Sequence, residues 1–170
     1  MKKLLIALLA AVGASAMAPA PAKPVLTVDG LGPVRIGMTI RQVEQALGGK
    51  LVGEALESDD ICVEKESKAG PRGDYYMFED KKLARISLGR GSSTTTARGI
   101  GVGATARQVR RAYGVKLKAE PHYYAGRPAE YLTFWTVPGK RGVRFETDSR
   151  RKVDTIHAGT AAIQFVEGCA

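Results

Sequence analysis

The sequence predicts an α+β fold of two tandem repeats, each a short capped helix followed by an antiparallel β-meander, joined into one continuous sheet with both helices on one face. Three observations carry this. The segment Ile36-Gly-Met-Thr-Ile-Arg-Gln-Val-Glu-Gln-Ala-Leu-Gly48 reappears as Val102-Gly-Ala-Thr-Ala-Arg-Gln-Val-Arg-Arg-Ala-Tyr-Gly114, with seven of thirteen positions identical at a spacing of 66. Each copy contains Thr-x-x-Gln, at Thr39 and Gln42 and again at Thr105 and Gln108, the pattern of a helix capping box. Downstream of each copy, period-two apolar runs at 75–89 and 143–159 read as hairpins, and Leu83, Ile86 and Gly89 match Val153, Ile156 and Gly159 at a spacing of 70.

The elements follow in chain order. Met1-Lys2-Lys3, an apolar run at 4–12 and the small residues 13–18 make the three-part layout of a secretory signal, so residues 1–18 are expected to be removed. The apolar run is far shorter than the roughly 20 residues of a membrane-spanning helix. Cleavage after Ala16 is preferred to cleavage after Ala18, which leaves Pro19 immediately past the cut. No cysteine precedes Cys62, so no acceptor for a lipid anchor lies near the cleavage site. Residues 19–24 form a Pro-rich flexible leader, and 25–170 form one domain of repeat 1 (25–90) and repeat 2 (98–170).

In the first repeat Ile40, Val43, Ala46 and Leu47 share one helical face, as Ala106, Val109, Ala112 and Tyr113 do in the second. Gly48 and Gly114 stop these helices. Two-turn helices are marginal alone, so each must lie against a sheet. Further strands are expected at 61–67, 115–119, 130–137 and 161–166, and 91–97 reads as a polar linker.

The helix motif and the helix-then-meander order resemble small exported proteins built like the beta-lactamase inhibitor protein, and the small lipoprotein of the outer-membrane assembly machinery. The chain is also similar to uncharacterised exported bacterial proteins ending in Val-Glu-Gly-Cys. The resemblance implies a role in binding other proteins, as an inhibitor or assembly factor.

The whole chain carries a formal net charge of +9, and loss of residues 1–18 removes two lysines and no acid. Export excludes nucleic acid as the partner and leaves anionic lipid, polyanionic envelope polymers or an acidic protein surface. In an oxidising periplasmic or extracellular compartment, Cys62 and Cys169 are expected to pair as one disulfide. No metal-ligand spacing, nucleophile motif or phosphate loop is present, so the chain reads as non-catalytic, without metal or cofactor. His122 reads as a loop histidine, His157 as structural and Asp59-Asp60 as a solvated pair.

The residues assigned to partner binding are Tyr75, Tyr123, Tyr124, Tyr131, Trp135, Arg141 and Arg144. Aromatic side chains anchor interfaces, and strand alternation sets Tyr131, Thr133 and Trp135 on one side and Leu132 with Phe134 on the other. Lys140, Arg141, Arg144, Arg150, Arg151 and Lys152 read as a basic cluster around the second hairpin. The expected function is a protein-binding module of the bacterial envelope or secretome. The alternatives are an envelope hydrolase, supported by a cleft joining His122 to Cys62 or Asp59-Asp60, and a binder of anionic lipid or polyanionic polymer.

Overall fold

The computed structural model describes residues 24–53, 61–70 and 72–169. The signal segment, leader residues 19–23 and the Asp59-Asp60 pair lie outside the described residues. The chain starts with β1 (Val25–Thr27), β2 (Gly30–Leu31) and β3 (Val34–Arg35), then α1 (Ile40–Leu47), β4 (Leu51–Gly53), β5 (Cys62–Ser67), β6 (Asp74–Glu79) and β7 (Lys82–Leu88). After β8 (Thr95–Thr96) come α2 (Ala106–Tyr113), a 3-10 turn (Gly114–Lys116), β9 (Lys118–Pro121), β10 (Glu130–Val137), β11 (Arg141–Thr147), β12 (Val153–Gly159) and a second 3-10 turn (Ala161–Gln164).

Eight strands make one antiparallel sheet in the order β4-β5-β6-β7-β12-β11-β10-β9, so the strands before and after β8 meet at the β7–β12 pair. A second, small sheet, β3-β2-β1-β8, contains the parallel β1–β8 pair.

Both helices start as the Thr-x-x-Gln spacing requires. Thr39 Oγ1 accepts from Gln42 N at 3.3 Å while Thr39 N donates to Gln42 Oε1 at 2.8 Å, and Thr105 and Gln108 repeat the exchange. The turn before each helix is bonded to a strand of the large sheet: Gly37 N donates to Leu83 O and Leu83 N to Met38 O, while Gly103 N donates to Val153 O and Val153 N to Ala104 O. Val43 of α1 and Val109 and Tyr113 of α2 then bury in one apolar cluster with Tyr76, Phe78, Ile86, Leu132, Phe145 and Ile156. Both helices therefore cover the same face of the sheet, and sheet burial supplies the stability that helices of this length lack.

Three expected elements take another form. The strand expected at 161–166 is a 3-10 turn, because Gly159 (φ +145°) ends β12 and the Thr160 hydroxyl caps the turn by accepting from Ala162 N. Its adjacent residues Ala162 and Ile163 are both buried, one in the small apolar cluster with Met77 and Ala84 and the other over Gly142. The strand expected at 115–119 begins only at Lys118, and Val115 is exposed on the preceding turn. The linker at 91–97 contains β8 and is pinned by Asp74, a fully buried carboxylate that accepts from Ser92 Oγ at 2.6 Å and Thr94 Oγ1 at 3.1 Å. Its pairing is to β1, far away in sequence, and no local periodicity announces a two-residue strand.

The buried Tyr76 hydroxyl has no hydrogen-bond partner among the described residues, and burial pushes its pKa up. An unpaired buried hydroxyl costs about 1–3 kcal/mol. Tyr76→Phe is therefore expected to leave the unfolding free energy unchanged or raise it by about 1 kcal/mol in urea titration. A loss of stability above about 1 kcal/mol would show instead that the hydroxyl contributes a bond.

Candidate functional site

The face of the sheet turned away from the helices is polar, and cross-strand register arranges it in rows. One row runs Glu66, Tyr75, Ser87, His157, Arg144, Thr133 and Lys118 across β5, β6, β7, β12, β11, β10 and β9. The next row on that side contains Thr155, Glu146, Tyr131 and Glu120.

Residues 160–169 fold over this face as a strap. Arg85 Nη1 donates to Ala162 O at 3.2 Å and to Phe165 O at 3.0 Å, and Arg144 Nη1 donates to Gln164 O at 3.1 Å. Ile163 sits over Gly142, where an added Cβ would lie 2.7 Å from the Trp135 ring, 2.8 Å from Phe134 O and 3.0 Å from Ile163 Cδ1, so β10 and the strap together leave room for no side chain there. The Cys62–Cys169 disulfide ties the end of the strap to β5.

Beneath this cover Ser87, His157 and Glu146 form a hydrogen-bonded line. Ser87 Oγ lies 2.8 Å from His157 Nδ1, and His157 Nε2 lies 3.3 Å from Glu146 Oε1. The carboxylate only accepts, so Nε2 carries the proton and Nδ1 accepts from the serine hydroxyl. Burial holds His157 below the ordinary histidine pKa despite Glu146. Burial also acts to raise the Glu146 pKa, but the hydrogen bond from His157 and the guanidinium of Arg144 outweigh it and hold that carboxyl below its ordinary value.

The order hydroxyl, imidazole, carboxylate is that of an acyl-transfer triad, but Ser87 is only 3% and His157 only 7% exposed. The line is a buried, hydrogen-bonded polar network that bridges β7, β12 and β11. His122 lies 3.8 Å from Glu146 on the far side, and its Nδ1 accepts from the backbone N–H of Tyr124 and of Ala125. Cys62 is a disulfide sulfur, so it supplies no thiol nucleophile.

The strand alternation places Tyr131, Thr133 and Trp135 together on the polar face and Leu132 with Phe134 toward the helices. That face is not the open surface expected for partner binding. Tyr131 is 4% exposed, with His122 stacked on its ring at 4.5 Å and the Arg144 guanidinium over it at 4.0 Å. Arg144 is buried between Glu120 and the strap, and Trp135 is half-buried beside Gly142 and Ile163. Arg141 reaches Asp29 at 3.6 Å across to the small sheet. Tyr75 lies over Gly89 and is partly exposed, and of the assigned aromatics Tyr123 and Tyr124 are the most exposed, at 74% and 57%.

The basic cluster read around the second hairpin divides as well. Lys140 and Arg141 stand at the β10–β11 turn, Arg144 is buried in mid-strand, and Arg150 and Arg151 stand at the opposite end of β11. There the backbone of Ala106 donates to Arg151 O at 2.9 Å, which docks the β11–β12 turn on the start of α2. The result is an open groove of about 730 Å³ between α2, β9 and the loop entering β10.

Five arginines line this groove, Arg107, Arg110, Arg127, Arg150 and Arg151, with two glutamates. Both glutamates are engaged: Glu130 binds Arg110 at 2.5 Å, and Glu120 binds Arg144 at 3.3 Å. Among the described residues Arg107, Arg127, Arg150 and Arg151 make no ion pair. Sequence reading missed Arg107, Arg110 and Arg127. A signal was present in the repeat itself, where Glu44-Gln45 of the first copy becomes Arg110-Arg111 in the second.

Fold and site together define an α+β protein whose single large antiparallel sheet is covered by helices on one side and by a disulfide-tied strap on the other, with an arginine groove at one edge. Comparison with protein-family models, with curated proteins and with solved structures gave no match. Among the described residues no helix is long and apolar enough to cross a membrane, and the disulfide fits an oxidising compartment.

Proposed function

We propose that this chain is an exported, non-catalytic protein-binding module of the bacterial envelope or secretome, and that its arginine groove receives an anionic part of the partner. The reading rests on the four guanidinium groups that make no ion pair among the described residues and line one groove. Guanidinium forks match carboxylates in pairs of hydrogen bonds, and water-exposed arginines side by side repel one another until an anion enters. The fold behind the groove is read as two tandem units of capped helix and four-strand meander, as in small exported proteins resembling the beta-lactamase inhibitor protein. Support for it comes from the recurrence of the capping box and of the paired hydrogen bonds at Gly37–Leu83 and Gly103–Val153.

The test is affinity capture from an envelope extract with wild type and with the double charge reversal Arg127→Glu/Arg150→Glu, after thermal melting shows that the variant folds. The expected result is a protein retained by wild type and depleted at least tenfold by the variant, with retention by wild type falling as salt rises. Equal retention by both proteins, or none by either, would remove the groove from the reading.

A further inference from the structure

We infer that the groove's partner is a short acidic protein segment that also bears apolar side chains, an inference that rests on the protein-binding reading above. Three features choose this occupant. The first is the distribution of charge. The groove contains four guanidiniums unpaired among the described residues, but Glu120 and Glu130 interrupt them, so the field suits a few separated carboxylates better than a long, uniformly charged polymer.

The second is the surface beside the groove. The loop at 122–129 carries Arg127 into the groove and also presents Tyr123 and Tyr124, whose rings pack edge to face at 4.8 Å. Tyr124 bonds Glu167 of the strap, next to the exposed Phe165 and Val166. Tyr123 and Tyr124 thus form an exposed aromatic patch on the same loop that lines the charged groove, the pairing of apolar anchors with charged contacts found in protein interfaces. A pure polyanion gains nothing from that patch.

The third is the edge strand. β9 has four residues, all exposed, and it carries Lys118 and Pro121, the devices that discourage backbone strand addition. Recognition is therefore by side chains, with the carboxylates of the segment on Arg107, Arg127, Arg150 and Arg151 and its apolar residues on Tyr123 and Tyr124.

The test uses two fluorescein-labelled peptides, Glu-Glu-Leu-Glu-Glu-Phe-Glu-Glu and its all-glutamate counterpart, with anisotropy read on the disulfide-bonded protein. The mixed peptide is expected to bind at least fivefold more tightly than the all-glutamate one. Arg107→Gln/Arg150→Gln should weaken both peptides at least tenfold, and Tyr123→Ser/Tyr124→Ser should erase the difference between them; circular dichroism melts of each variant exclude unfolding. Equal binding of the two peptides, or tighter groove-dependent binding of inorganic polyphosphate or phosphatidylglycerol vesicles, would overturn the acidic-segment inference. If neither peptide binds while an envelope protein is still captured through Arg127 and Arg150, the inference fails and the protein-binding reading stands.

Discussion

Replacing Cys62 and Cys169 together by alanine is expected to lower the unfolding free energy by about 4–5 kcal/mol, which corresponds to a midpoint about 10–20 °C lower in a calorimetric scan. The two cysteines are 107 residues apart, so the cross-link removes a large share of the unfolded chain's freedom. The bond also acts locally, because it fastens the last residue of a strap that is otherwise held by Ile163, by Arg85 and by Arg144. Native-state hydrogen exchange separates the two effects. Loss of protection confined to β12 and residues 160–169 in the variant would mark release of the strap, and unchanged protection with a lowered midpoint would place the effect in the unfolded chain. An unchanged midpoint would show that the disulfide contributes nothing to stability.

His157→Leu is expected to cost about 2–4 kcal/mol at neutral pH, because it leaves the Ser87 hydroxyl and the Glu146 carboxylate without their buried partner. It should also change the shape of the pH profile. Burial depresses the His157 pKa in the folded state, so as pH falls below the ordinary value of 6.5 the unfolded chain takes up the proton first. The stability contributed by neutral His157 is therefore present above that value and lost as pH falls toward the folded pKa, at up to about 1.4 kcal/mol per pH unit for one proton.

Glu146, with its folded pKa also lowered, loses its contribution in the same direction at more acid pH. Asp74 runs the other way. Desolvation raises its pKa against the hydrogen bonds from Ser92 and Thr94, so its contribution is complete only below the ordinary aspartate value of 3.8 and is lost as pH rises through the folded pKa. Urea titrations between pH 5 and pH 7 should show wild type weakening on acidification and His157→Leu nearly flat. Parallel slopes in the two proteins would assign the acid sensitivity to other groups.

Local signals in the sequence determined the secondary elements that form within a few residues of one another. Thr39 with Gln42 and Thr105 with Gln108 specify helix starts because the capping exchange is complete within one turn. The alternation in β6, β7, β11 and β12 specifies which residues point to the helices, since neighbouring side chains in a strand must take opposite faces. The cysteine pair was legible from compartment and count alone.

What the polar face does was not legible, because alternation states that Tyr131, Thr133 and Trp135 share a side and is silent on what covers that side. The cover is a strap from the far end of the chain, seated on Gly142 and bonded to Arg85 and Arg144, and it turns an apparent docking surface into a second buried layer. The groove has the same origin. Arg107, Arg127 and Arg150 are spread over three separate elements, and they converge only because the β11–β12 turn docks on the start of α2 and β9 closes the edge beside it. Hydrogen bonds and alternation act over one to four residues and are written into the sequence, whereas convergence of charge across a sheet depends on strand order and register, which only the folded chain sets.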